Sequence, residues 1–525
     1  MFKNKKLLVL LSMVLVFALF AVGCSQPADD TATPGTDDTN EPADEVTVKE
    51  ELIVGQGADA VTLDPHSTND QPSSRVSKQI YETLVAQNEN MEIEPSLAES
   101  WESIDDTTVE FKLKQGVKFH NGEELKASDV KFTILRALDS SHIGHIVGQI
   151  DGEKIEVIDD YTIRLSTKEP FAPLLAHLAH TAMAIMNEKA VTEGGEDYGQ
   201  NPVGTGPFKF NNWVIGDSIE LVKFDEYHGE PAKLKKVTFR NIAENTTRTI
   251  ELETGGIDIA YDIPPTDVSR VEENSDLVLQ RAPSFSTSYI GFNAQKKPYD
   301  DVRVRQAINY AIDMASIIEA VYQGVGAPAK GPLGPNVFAG HQGLEEYGFN
   351  VEKAKELMAD AGYADGFDTT IWTNENQQRM DIAEIVQNQL KAININTEVK
   401  VMEWGAYLEG TAAGEHDMFI LGWVTVTGDP DYGLYALFHS SQFGTGGNRT
   451  FWSNDRVDEL LDAARVETDP SKREEYYLEA QEIIRDEAPW VFTWIGENLA
   501  GVQKNVKGFT QHPAGHHSLH GVYFE

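Results

Sequence analysis

The sequence predicts an α/β protein, and three observations carry that prediction. Stretches with two-residue alternation, such as "TTVEFKLKQGVKF" with Val109, Phe111 and Leu113 on one side, read as strands. Stretches with helical spacing lie among them through most of the chain. In one place the helical "MDIAEIVQNQLKAI" runs directly into the strand-like "NTEVKVMEW", the interleaving that places helices on the faces of sheets. With 525 residues, the chain is long enough for about two to four domains with cores of their own.

The chain opens on targeting rather than fold. Lys3, Lys5 and Lys6 precede an apolar run from Leu7 to Val22, too short for a comfortable membrane span, and Ala21 and Gly23 lead into Cys24. This is the layout of a secretion signal, residues 1–23. Its end resembles a bacterial lipobox, in which the signal is cut before the cysteine and the thiol is lipidated, although Ala21 stands where leucine is usual. Cys24 is the only cysteine, so no internal disulfide is available to an extracellular fold. Residues 24–51, rich in Pro, Thr, Asp and Glu, have almost nothing to bury and read as an acidic tether. The folded part is expected from Leu52 onward, and no further long apolar run follows.

The net charge of −41 repels nucleic-acid phosphates and argues against a protein lying flat on anionic lipid. Beyond the first strands, closed by a turn at "HNGEE", "DDVRVRQAINYAIDMASIIEAVYQG" sets Val304, Ile308, Ala311 and Ile312 on one side of a helix stopping at Gly324. "VEKAKELMADAGY" reads as a helix stopping at Gly362. "DPSKREEYYLEAQEIIRDEAP" has Asp469 as cap, Pro470 at the first helical position and Pro489 as terminator.

Five ordered segments resemble one family. "LAESWESIDDTTVEFKLKQGVKFHNGEELKASDVKFTILRAL", "GTGPFKF", "IGFNAQKKPYDDVRVRQAINYAID", "EKAKELMADAGYADGF" and "NDRVDELLDAARVETDPSKREEYYLEAQEIIRDEAPWV" are similar to the family-five extracellular solute-binding proteins, the peptide and nickel receptors of ABC importers. "GWVTVTGDPDYGLYALFHSS" is most similar to the dipeptide and glutathione receptors among them. The resemblance implies a two-lobed clamshell of the periplasmic-binding type. Lobe I takes residues 52–288, with an extra subdomain at about 85–200; lobe II takes 289–497; residues 498–525 return to lobe I. It also implies a monomer that hands its ligand to a permease and ATPase, with the lipid at Cys24 holding it at the membrane and the tether letting it swing.

A free peptide carries an ammonium and a carboxylate, and a site buried between lobes must meet each with its opposite. Trp423 is a candidate wall, and Asp429 and Asp431 are candidate ammonium acceptors, with Asp429 alternatively only opening a turn before Pro430. The resemblance marks one departure: dipeptide receptors carry an aspartate where Val426 stands, which points away from an ordinary free-amine dipeptide. Arg449 is the carboxylate candidate, in a loop where Gly444, Gly446 and Gly447 permit close backbone approach. Trp404, Trp372 and Tyr289 are further wall candidates, each alternatively a core residue. Asn293 either bonds a peptide backbone or caps a hinge. Ser67, Asn69 and Gln71, in a polar loop between a strand and the helix around Val76, Ile80 and Leu84, are candidates to face the cleft.

Two other functions are weighed. His512, His516, His517 and His520 suggest a nickel or haem carrier, but their spacing matches no compact metal pattern, and a closing strand would point His516 and His517 to opposite faces. A secreted enzyme is not favoured, because no G-x-S-x-G, H-E-x-x-H or Walker pattern appears. No metal, cofactor or nucleic acid is expected.

Overall fold

The computed structural model describes residues 49–525 except position 342. The expected signal, Cys24 and almost all of the tether lie outside the described residues.

The strand "ELIVGQ", Glu51–Gln56, fully buries Leu52 and Val54 and sits in the middle of a seven-stranded sheet. It runs parallel to Lys236–Asn241 on one side and to Ile259–Tyr261 on the other. The remaining strands are Ser218–Lys223 and Phe208–Val214 at one edge and Glu497–Gln503 and Leu277–Pro283 at the other. A six-stranded sheet centres on Ser286–Phe292, antiparallel to Met418–Val424 and to Trp490–Ile495. Phe367–Asn374 pairs in parallel with both Met418–Val424 and Ile395–Met402. Each sheet anchors one lobe.

The chain passes between the sheets twice, through Ser284 and Phe285 and through Gly496. The first crossing precedes the expected boundary at 288/289, because pairing begins at Ser286 opposite Val424. The return strand starts at Glu497. An additional four-stranded sheet, Ala98–Ser103, Thr108–Leu113, Thr162–Ser166 and Glu156–Asp159, belongs to the first lobe's inserted region and packs under the helix Ala127–Leu138.

Three helices position the site: α1 (Gln71–Ile80), α2 (Trp404–Ala412) and α3 (Pro470–Glu487). Asp469 caps α3 by accepting from the Ser471 and Lys472 amides, as its spacing predicts. The long helix expected to stop at Gly324 is instead two, Val302–Ala311 and Met314–Tyr322. Ile312 turns extended, Asp313 caps the second helix through the Ser316 amide, and left-handed Gln323 ends it. The closing strand expected around the C-terminal histidines is also absent from residues 511–520, which run as loop and turn because their backbone groups bond locally and to side chains of α1.

One apolar cluster joins Phe171, Leu174 and Leu178 of the inserted region to Trp423, Tyr432 and Tyr435 of the second lobe. The lobes are therefore closed on one another. Polar contacts cross the same seam: Gln87 Nε2 donates to Thr427 O (2.8 Å), Thr445 Oγ1 to Ser141 O (3.0 Å) and Arg465 to His145 O (3.2 Å).

Candidate functional site

The seam carries Asp70 and Arg449, two buried charges without a partner of opposite sign among the described residues. Asp70, on the first lobe, caps α1: its carboxylate accepts from the Ser73 amide (3.3 Å) and Thr68 Oγ1 (2.8 Å). It also accepts from the Trp404 indole of the second lobe (3.3 Å). It is 7% exposed, burial raises its pKa, and no cation pairs with it among the described residues. Arg449, on the second lobe, is 9% exposed and donates through Nε to Thr411 Oγ1 (3.2 Å). No carboxylate reaches it among the described residues, and burial lowers its pKa. Its charge lies close enough to His142 of the first lobe to lower the pKa of that ring, after burial.

Helix α2 organises both ends. Trp404, Tyr407 and Thr411 fall at i, i+3 and i+7 and share one face. Trp404 packs beside Tyr407 with centroids 6.1 Å apart, and Arg379 lies over the Trp404 ring at 5.6 Å. Tyr432 forms a second aromatic centre, 5.0 Å from Trp423 and 4.7 Å from the His180 ring. Its phenol lies near the Asn69 side chain across the seam. Around it, Trp423 Nε1, His180 Nε2 and both ring nitrogens of His145 are buried with no hydrogen-bond partner among the described residues. Burial, then His177 and Arg465, push His145 down to about 3, so the ring is neutral. A buried polar group left unpaired costs about 1–3 kcal/mol.

The other predicted residues serve the frame. Asp429 is gripped by Arg473 of α3 (2.9 and 3.1 Å) and accepts from the Asp431 amide (3.0 Å). Its charge is thus matched within its own lobe by Arg473, the structural alternative to the ammonium contact expected of it. Asp431 pairs with Arg465 at 2.9 Å and lies 3.3 Å from His177 Nε2 of the first lobe. Tyr289 stacks on Trp490 with centroids 3.5 Å apart, making it core, while its phenol feels the charges of Arg449 and Arg379. Asn293 donates to Gly414 O (2.9 Å) and His416 O (3.4 Å) and accepts from the Gln295 amide, the capping role. Trp372 is core beside Thr370.

The glycines near Arg449 permit close approach to protein backbone rather than to a ligand: a Cβ at Gly444 would meet Ala412 O at 2.7 Å and one at Gly447 would meet Ala436 O at 2.6 Å. Ser67 bonds Asp64 and Gln71 bonds Ala514 and His516, so that of these three Asn69 is the one beside a residue of the second lobe, Tyr432. The C-terminal histidines diverge, His516 to Gln71, His517 against Tyr261, and His520 beside Tyr227. Among the described residues no group of three metal-ligating side chains converges.

Residues 92–445 match the family described as bacterial extracellular solute-binding proteins, family 5, middle region. The glutathione-binding protein GsiB of Escherichia coli (strain K12) is 34% identical over 470 residues, 87% of this chain and 91% of that protein. The chain belongs to family 5 of the bacterial extracellular solute-binding proteins. Among solved structures of similar proteins, the periplasmic binding protein DppA of Helicobacter pylori, in complex with the peptide STSA, superposes with a TM-score of 0.87 at 32% identity, covering 91% of this chain and 98% of that one. A dipeptide-binding protein from Pseudoalteromonas sp. SM9913, in complex with Met-Leu, gives 0.86 at 27% identity, covering 90% and 100%. The two-lobed fold of this family-5 protein is thus that of periplasmic peptide-binding proteins, and among its described residues no helix is long and apolar enough to cross a membrane.

Sequence reasoning passed over Asp70, Arg379, His145 and His180. Asp70 stands two residues before Pro72 and reads as a helix cap, which it also is. The other three carry no local signal, since only the closure of the lobes brings them to the seam.

Proposed function

We propose that this family-5 protein is the receptor of an ABC importer, a monomer that captures short peptides between its lobes, delivers them to the membrane permease and does no chemistry on them. Lobe I comprises residues 51–283 and the chain from Glu497 onward, lobe II residues 286–495, and the crossings at 284–285 and 496 act as the hinge. Cys24 carries the lipid that keeps the receptor on the outer face of the cytoplasmic membrane, and the acidic tether gives it reach. The observation that carries the peptide reading is Arg449: a buried guanidinium with no carboxylate of its own among the described residues is suited to take a ligand's carboxylate through two hydrogen bonds. The relatives named above for glutathione, the peptide STSA and Met-Leu support the same ligand class.

Thermal unfolding of the full chain with trialanine, reduced glutathione and nickel–histidine tests it. A ligand at one hundred times its dissociation constant adds about 2.7 kcal/mol of stability. Stabilisation by a peptide supports the proposal; stabilisation by nickel–histidine alone, or by none of the three, overturns it.

A further inference from the structure

We infer that the solute is a zwitterion about three peptide units long, held at its two ends by charges from opposite lobes, its ammonium on Asp70 and its carboxylate on Arg449. This rests on the peptide-receptor reading and adds the length, the polarity and the ammonium site.

The loop expected to supply the acid has none to spare. Asp429 is taken by Arg473, Asp431 by Arg465 and His177, and Val426 is apolar and buried. Asp70 is different: it is buried, receives hydrogen bonds from Ser73, Thr68 and Trp404 alone, and meets no cation among the described residues. Arg449 is its mirror image, a buried cation whose side chain bonds only a hydroxyl among the described residues. Each isolated ion costs several kcal/mol to keep out of water, and one ligand bearing both opposite charges relieves both costs at once.

Helix α2 sets the spacing. Trp404, which touches Asp70, and Thr411, which touches Arg449, are seven residues apart on one face. At 1.5 Å per residue that is about 10 Å along the axis. An extended chain advances about 3.3–3.6 Å per residue, so about three residues bridge the gap. Trp404, backed by the fully buried Tyr407, flanks this path, and the Trp423, His180 and His145 groups that have no hydrogen-bond partner among the described residues lie on the same seam to take polar side chains. The charges sit on different lobes, so a ligand blocked at either end neutralises one lobe only and loses the drive to hold both. Arg379 is the rival for the carboxylate, but its guanidinium already bonds Asn374 and lies over Trp404.

The test is calorimetric titration of the full chain with dialanine, trialanine, pentaalanine, N-acetyl-trialanine and trialaninamide, on the wild type and on Asp70→Asn, Arg449→Gln and Arg379→Gln. Trialanine is expected to bind tightest, and each blocked form to lose about thirtyfold or more, the scale of removing one partner of a buried charge pair. Asp70→Asn, which retains a good helix cap, is expected to abolish the penalty for N-acetylation, and Arg449→Gln the penalty for amidation. The blocked peptides test wild-type protein, so the answer does not depend on a variant folding. Equal binding of trialanine and N-acetyl-trialanine overturns the ammonium site while leaving the peptide receptor intact. Loss of the amidation penalty in Arg379→Gln but not Arg449→Gln overturns the carboxylate assignment. Tightest binding of dialanine or pentaalanine overturns the length. Binding of no peptide at all overturns this inference and the receptor reading together.

Discussion

Asp429→Asn separates a structural acid from a ligand-binding one. In the folded protein Arg473 spends two hydrogen bonds on Asp429, and its others go to Ala464 O (3.0 Å) and the Tyr477 phenol (3.1 Å). The side chains of the pair are 8% and 15% exposed, so water cannot take over the lost charge. Asparagine retains one acceptor oxygen but turns an amide donor toward a guanidinium that has only donors. Removing one partner of a buried pair costs about 3–5 kcal/mol, and the retained oxygen places this change near about 3 kcal/mol. A body of this size, unfolding as one unit at about 2.1 cal/mol/K per residue, has an unfolding entropy of about 1 kcal/mol/K, so the melting temperature falls by about 3 °C. Differential scanning calorimetry reads that drop, and titration with trialanine reads an unchanged dissociation constant. Adding Arg473→Gln recovers part of the loss, since the stranded charge goes with it. An unchanged melting temperature together with affinity weakened by about tenfold or more would refute the reasoning and return Asp429 to the ligand.

Cys24→Ser is expected to move the protein from the membrane fraction to the medium, or leave its precursor uncut, with ligand affinity intact; fractionation and mass spectrometry of the N-terminus decide, and an unaltered lipid-bearing product contradicts the anchor. Burial pushes His66, His145, His416 and His517 down to about 3 from an ordinary value of 6.5. The unfolded chain therefore binds protons that the folded one refuses, and each such histidine removes up to about 1.4 kcal/mol per pH unit as the pH falls from 6.5 toward 3. Urea unfolding between pH 7 and pH 5 measures the slope, which His145→Phe should reduce by about one proton. Trp423→Phe removes the buried indole N–H and is expected to weaken binding of triserine by about 1 kcal/mol, roughly fivefold, with little change for trialanine, which has no polar side chain; an unchanged dissociation constant for triserine would place that N–H away from the ligand. Small-angle scattering of the unliganded chain should show a larger radius of gyration that shrinks when trialanine is added, and identical profiles would contradict hinge closure.

Local chemistry is legible in this sequence wherever it acts between near neighbours. Asp469–Pro470 starts α3, Gly362 follows the Val351–Asp360 helix, and alternation marks the buried face of Thr108–Leu113, because caps and periodicities need only adjacent residues. The break at Ile312–Asp313 was hidden, because the apolar spacing continues across it while the side-chain cap does not show in hydrophobicity. Arg449 and Trp423 were legible as candidates from their residue types and loops. What only the tertiary structure decided is which charges are already answered. Asp429 and Asp70 look alike along the chain, yet Arg473 arrives from forty-four residues away to neutralise the first, while the second meets across the seam only the indole of Trp404, 334 residues distant. An ion's role depends on the sum of fields from everything folded around it, and that sum exists only once the lobes have closed.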